Sequence, residues 1–183
     1  PLRADRPPAS GRGHQVILVL GSRPGSDMLA IVRSATLLGV RGTPVRVEVH
    51  VSSGVPGFTI VGLPDTSCRE ARDRVRAAIL SCKLRWPDQR MTVNLAPSGV
   101  RKIGAGLDLA IAIGLLVATK QLPDSAQDMA YLGELGLDGS VRPVVGGVPL
   151  AASIDPTELV VAEGNAVEAD VVGRHRVRPV GSL

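Results

Sequence analysis

The run from Asn94 to Ile113, Asn-Leu-Ala-Pro-Ser-Gly-Val-Arg-Lys-Ile-Gly-Ala-Gly-Leu-Asp-Leu-Ala-Ile-Ala-Ile, restricts the fold more than any other part of the chain. It begins in a short strand, Met91 to Leu95, passes through a glycine-rich loop and enters a helix, Leu107 to Thr119, that is apolar on every side. A helix without a polar stripe must be covered all round, so the pattern predicts a central buried helix. Strand, glycine loop and buried helix in that order indicate an α/β fold. Several enzyme families keep a nucleophile at such a junction. Here the position that should react is a glycine.

The rest of the chain supplies strands and one more clear helix. Ala30 to Leu38 reads as a strand, Gly39 to Gly42 as a turn. Val45, Val47, Val49 and Val51 then alternate with Arg46, Glu48 and His50, the period of a half-buried strand paired back on the first. His50 falls on its polar, solvated face. Phe58 to Val61 is a third strand, closed by Gly62-Leu-Pro-Asp65. In the helix that follows, Ser67 and Glu70 have the spacing of a capping box. Cys68, Ala71, Val75, Ala78, Ile79 and Cys82 form its apolar stripe, with Arg69, Arg72, Arg76 and Lys83 opposite. Later segments read as a strand over Tyr131 to Leu137, a turn at Asp138-Gly139, a pairing strand over Val141 to Val145, a short helix over Gly146 to Ile154, and strands at Leu159 to Ala162 and Val177 to Val180.

Residues 1–27, rich in Pro, Arg, Gly and Ser, read as a leader outside the fold, leaving 28–183 as one domain. With only Phe58, Trp86 and Tyr131 as aromatics, the core has to come from Val, Leu, Ile and Ala. Cys68 and Cys82 lie 14 positions apart in one predicted helix. At ~1.5 Å per residue that is about 21 Å, beyond the ~7 Å a disulfide spans, so free thiols and a cytoplasmic location are expected. No apolar run reaches the ~20 residues of a membrane span.

Charge is divided along the chain. Residues 1–103 carry 16 Lys/Arg against 7 Asp/Glu, and residues 104–183 carry 5 against 10. Such asymmetry fits either an anionic partner for the first part or a complementary neighbouring subunit. Four cations on one helix face could neutralise phosphates without reading sequence; they could equally be a solvated or subunit-contact face. The scarcity of aromatics argues against a platform for stacked single strands. The Walker pattern is absent, and Gly104-Ala-Gly106 before a helix is an incomplete phosphate loop with Asp108 beside it. Clustered metal ligands are absent too. A Ser–Lys pair, Ser98 and Lys102, is the one candidate for nucleophilic chemistry, set against a turn serine and a solvated lysine.

Longer motifs add a resemblance. Ser52-Ser-Gly-Val-Pro-Gly-Phe-Thr-Ile-Val-Gly-Leu-Pro-Asp65, Glu70-Ala-Arg-Asp-Arg-Val-Arg-Ala-Ala-Ile79, Asn94-Leu-Ala-Pro97, Leu107-Asp-Leu-Ala110, Leu132-Gly-Glu-Leu135 and Asp138-Gly-Ser-Val-Arg-Pro143 closely resemble the N-terminal domain of magnesium-chelatase-like AAA+ ATPases of the ComM/YifB type. The resemblance covers Met28 to the C-terminus. It implies an α/β (α+β) fold of the ribosomal protein S5 domain 2-like class, similar to the proteolytic domain of Lon. Lon proteases carry P-K-D-G-P-S-A-G, with serine as nucleophile, and G-G-x-K, with lysine as base. Lys102 and Gly104 match the first motif, which places Gly106 at the serine; Gly146-Gly-Val148 matches the second, which places Pro149 at the lysine.

The resemblance therefore implies a non-catalytic, pseudo-protease domain. Family members continue into an AAA+ motor that uses ATP and Mg2+, form hexameric rings, and are linked to DNA branch migration in natural transformation. For this chain it implies no cofactor and no metal of its own. Expected partners are its motor domain, further copies of itself and DNA, with Arg69, Arg72, Arg76 and Lys83 as candidates for DNA or subunit contact. A divergent Ser98–Lys102 peptidase and a protein-interaction module of a chelatase-like complex are the alternatives.

Overall fold

The computed structural model describes residues 28–155 and 157–183; the segment 1–27, read above as a leader, lies outside them. The strands are β1 (Met28–Leu38), β2 (Arg41–Ser52), β3 (Gly57–Val61), β4 (Arg90–Ala96), β5 (Ala130–Leu132), β6 (Glu134–Leu135), β7 (Val141–Arg142), β8 (Glu158–Ala162) and β9 (Arg176–Val180). The helices are α1 (Thr66–Ser81), α2 (Asp108–Ala118), α3 (Gly147–Ser153) and α4 (Ala166–Val171), with 3-10 turns at Asp124–Asp128 and Glu163–Asn165. Seven strands form one mixed sheet in the order β3-β4-β2-β1-β5-β8-β9, and β6 and β7 form a separate ribbon. The sheet is mainly parallel; only β1–β2 and β2–β4 run antiparallel. This is the expected α/β class.

Alternation along the strands decides what lies on each face. Ala30 and Val32 of β1, Val45 to Val51 of β2 and Met91, Val93 and Leu95 of β4 share a core with α1 and α2. Ala35, Leu132, Leu159 and Val161 face the other way and pack with Leu150, Ala151 and Ile154 of α3 and with Ala169 of α4. Every residue from Asp108 to Ala118 is buried, as the all-round apolar pattern requires. Gly114 lets α2 lie close to the sheet: a Cβ there would come 2.6 Å from Val49 Cγ2. At Gly42, on the opposite face, a Cβ would sit 1.9 Å from the backbone oxygen of Pro149, so α3 presses directly on the start of β2.

Several local expectations are corrected. α1 is capped by Asp65, whose Oδ1 accepts from Cys68 N at 2.8 Å, not by a Ser67–Glu70 box. Cys82 is the C-cap and lies beyond the helix's apolar stripe, and Lys83 follows it with φ of 60°. The strand expected over Tyr131 to Leu137 breaks at Gly133. That residue's N–H donates to Gly106 O and its carbonyl accepts from Leu109 N, so the loop before α2 takes the bonds a continuous strand would use. The pairing strand is correspondingly shorter, Val141–Arg142, and α4 is a helix that sequence periodicity did not mark. His50 is half-buried and partnered rather than solvated. Both cysteines are free thiols, as expected.

Candidate functional site

The glycine loop after β4 is tied down from several directions. Asp65, which ends the Gly-Leu-Pro-Asp turn, uses Oδ1 to cap α1 and Oδ2 to accept from Gly104 N at 3.0 Å. Burial raises the Asp65 carboxyl, but the N–H groups of Cys68 and Gly104 outweigh it and hold the group below the usual aspartate range. Lys102 N donates to Leu63 O and Asp65 N to Lys102 O, a short parallel bridge between turn and loop. Thr36 of β1 accepts from Ile103 N at 3.1 Å. The backbone N–H groups of Lys102, Ile103 and Gly104 are thus consumed by the fold.

Behind the loop, α2 is anchored by an ion pair that the sequence reading missed. Arg74 reaches from α1 to Asp108 with Nε to Oδ2 at 2.6 Å and Nη2 to Oδ1 at 3.1 Å, and Leu135 N donates to the same carboxylate at 3.4 Å. Asp108 is fully buried. Burial raises its carboxyl against the pull of Arg74, while the hydrogen bond to Asp108 raises the guanidinium and keeps it charged. Asp108 therefore serves as the anchor of α1 on α2, beyond the helix-dipole role its first-turn position alone implies.

Gly106 opens onto a cleft of about 370 Å³, whose lining includes Thr36, Gly104, Gly106, Glu134, Val144 and Leu150. The structure thus brings the loop before α2 and the segment leading into α3 to one cavity, although Pro149 is not in its lining. A Cβ on Gly106 would meet Val144 Cγ1 at 3.2 Å. Val144 is held there by buried Asn165, which accepts from its N–H at 2.7 Å and donates to its carbonyl at 2.9 Å. Glu168 accepts from Asn165 Nδ2 and, at 3.0 Å, from Gly147 N at the start of α3. Sequence spacing gave no sign of these two residues.

Ser98 and Lys102 do not form a dyad. Ser98 is exposed, whereas the Lys102 side chain is fully buried and its Nζ donates to Pro97 O, so the expected solvated lysine is corrected. Burial pushes the Lys102 amine below the ordinary lysine range. Cys68 lies near the loop, but burial pushes its thiol up to about 12, the wrong direction for a nucleophile.

On the outer side of α1, Arg69, Arg72 and Arg76 are exposed, and among the described residues none of the three is in an ion pair. Lys83 is exposed as well, but it sits past the helix end in a left-handed conformation and leaves the row. The structure thus keeps three of the four candidate contact residues together. No group of three or more potential metal ligands occurs among the described residues, and no helix among them is long and apolar enough to cross a membrane.

Comparison with known proteins agrees with the motif resemblance. Residues 47–165 match the family model described as subunit ChlI of Mg-chelatase. The chain is 46% identical over 147 residues to competence protein ComM of Haemophilus influenzae, covering 79% of this chain and 29% of that protein. It is 42% identical over 149 residues to the uncharacterized protein YifB of Salmonella typhimurium, covering 80% and 29%. With YifB of Escherichia coli the identity is 43% over 147 residues, covering 79% and 29%. The chain spans less than a third of the length of these curated relatives.

Proposed function

Because the chain belongs to the magnesium-chelatase-like ComM/YifB family, we propose that it is a non-catalytic, Lon-like N-terminal domain of an AAA+ ATPase, and that it contacts DNA phosphates through α1. Its fold on this reading is of the ribosomal protein S5 domain 2-like class. The observation that carries the DNA contact is the division of labour along α1. Arg74 is turned inward onto Asp108, while Arg69, Arg72 and Arg76 stand exposed without an ion-pair partner among the described residues. Three cations on one helical face offer phosphate neutralisation without base readout.

The non-catalytic reading rests on the side chains available in and around the cleft. Gly106 supplies no nucleophile, Pro149 has no amine, and the nearby lysine is engaged with Pro97 O. ATP and Mg2+ belong, on this reading, to a motor domain that the domain accompanies in a cytoplasmic ring, with a hexamer as its assembly. The second reading, a contact between α1 and a neighbouring copy, is favoured by the acidic balance of residues 104–183. Fluorescence anisotropy of a labelled duplex tests the first. Affinity in the ~10⁻⁴ to 10⁻⁶ M range that falls steeply with added salt is expected; affinity indifferent to salt, or no association, would contradict it.

A further inference from the structure

Two of the three aromatic residues of this chain meet beside the exposed arginines. Phe58, in edge strand β3, and Trp86, in the loop after α1, lie with ring centroids 5.8 Å apart and planes tilted by 34°. Both pack against the main core, so the pair is held from behind, while each remains half-buried. Arg72 and Arg76 of α1 line the same small pocket of about 160 Å³, together with Phe58, Trp86, Asp88 and Met91. The low aromatic content that argued against a stacking platform is therefore offset by placement.

We infer that this pocket holds one unpaired nucleobase of a single strand, stacked against the Trp86 face of the aromatic pair, while Arg72 and Arg76 take the flanking phosphates. The inference rests on the phosphate-contact reading and deepens it, since it assigns a base-binding residue and a strand state. Size limits the occupant. The cavity is well below the ~300–1,000 Å³ of clefts that enclose a drug-sized ligand, and it fits one planar group. An aromatic face flanked by guanidinium groups matches the pairing of base stacking with phosphate neutralisation found in single-strand binders. Met91 adds a polarisable wall. Exposed Asp88 offers an acceptor to a base N–H, such as the ring N3–H of thymine, and disfavours a second run of phosphates at that rim.

Trp86 is the only tryptophan of the chain, so its emission reports on the surroundings of this one ring, which also borders a neighbouring cavity with Arg85 and Gln121. The full chain is titrated with a 15-nucleotide thymidine strand and, separately, with an abasic strand of the same length and phosphate spacing. The thymidine strand is expected to bind about 5- to 100-fold more tightly and to quench Trp86, which the abasic strand leaves bright. Trp86→Ala is expected to bring thymidine-strand affinity down to the abasic level; Arg72→Gln with Arg76→Gln is expected to weaken both strands. Trp86→Tyr, which keeps an aromatic face, should retain part of the preference if the alanine variant folds poorly. Equal affinities with unchanged emission would overturn the stacking inference and leave the phosphate reading standing. Failure of both strands to bind would overturn the two together.

Discussion

Arg74 of α1 holds Asp108 at the start of α2 through two hydrogen bonds, 2.6 and 3.1 Å long, with the carboxylate wholly removed from solvent. Replacing one member strands the other's charge. Asp108→Ala or Arg74→Ala is expected to cost about 3–5 kcal/mol. The double variant should cost clearly less than the sum, because the orphan charge is gone. Denaturant unfolding of the four proteins checks this; additive losses would mean the two side chains do not act as a pair.

Asp65 gives the domain an acid-sensitive joint. Its folded carboxyl lies below the ordinary range, because the Cys68 and Gly104 N–H groups outweigh the effect of burial. A folded value depressed below the unfolded one, ~3.9, contributes stability that is full above that value and is lost as pH falls through the folded one. Asp65→Ala should cost about 0.5–2 kcal/mol near neutral pH, as for other lost N-caps. The gap between variant and parent should close in strong acid. A gap independent of pH would show that the carboxylate's charge plays no part.

The central helix tolerates neither less nor more volume. Ile111 is fully buried, and Ile111→Ala is expected to lose about 2–5 kcal/mol. Gly114→Ala gains helix propensity of ~1 kcal/mol, yet its Cβ would stand 2.6 Å from Val49 Cγ2. Overpacking of about 1–3 kcal/mol should match or exceed the gain. A clearly stabilised alanine variant in thermal unfolding would mean that β2 yields more readily than its packing implies.

Sequence periodicity reached the sheet and its core because those signals are local. The valines of β2 alternate, and α2 is apolar on all sides, so strand, helix and buried faces could be read directly. What it missed depends on distant partners. Asp65 follows Pro64 just before a helix, a legible cap position, yet its second bond to Gly104 is set by the fold. Arg74 looked like one more surface cation until α2 was placed against it. The break at Gly133 arises because the loop at Gly106 competes for its backbone bonds. Asn165 and Glu168 organise the α3 side of the cleft from 21 residues away.

Restoring a serine should not restore a peptidase. Gly106→Ser places its Cβ 3.2 Å from Val144 Cγ1, a contact a small shift relieves. The new hydroxyl would still lack a base, since Pro149 has no amine and Lys102 is committed to Pro97 O. The variant is expected to fold and to leave unfolded casein intact over prolonged incubation. Casein cleavage by the parent chain, abolished by Ser98→Ala, would instead favour the divergent-peptidase alternative.

The most direct test of the phosphate-contact account is the triple variant Arg69→Glu, Arg72→Glu, Arg76→Glu, with duplex affinity and oligomeric state measured on the same samples across a salt series. Weakening that is uniform across DNA sequences, a flatter salt slope and an unchanged oligomeric state are the expected results. Lost self-association with DNA affinity unchanged would contradict the account and assign the arginine face to a neighbouring copy.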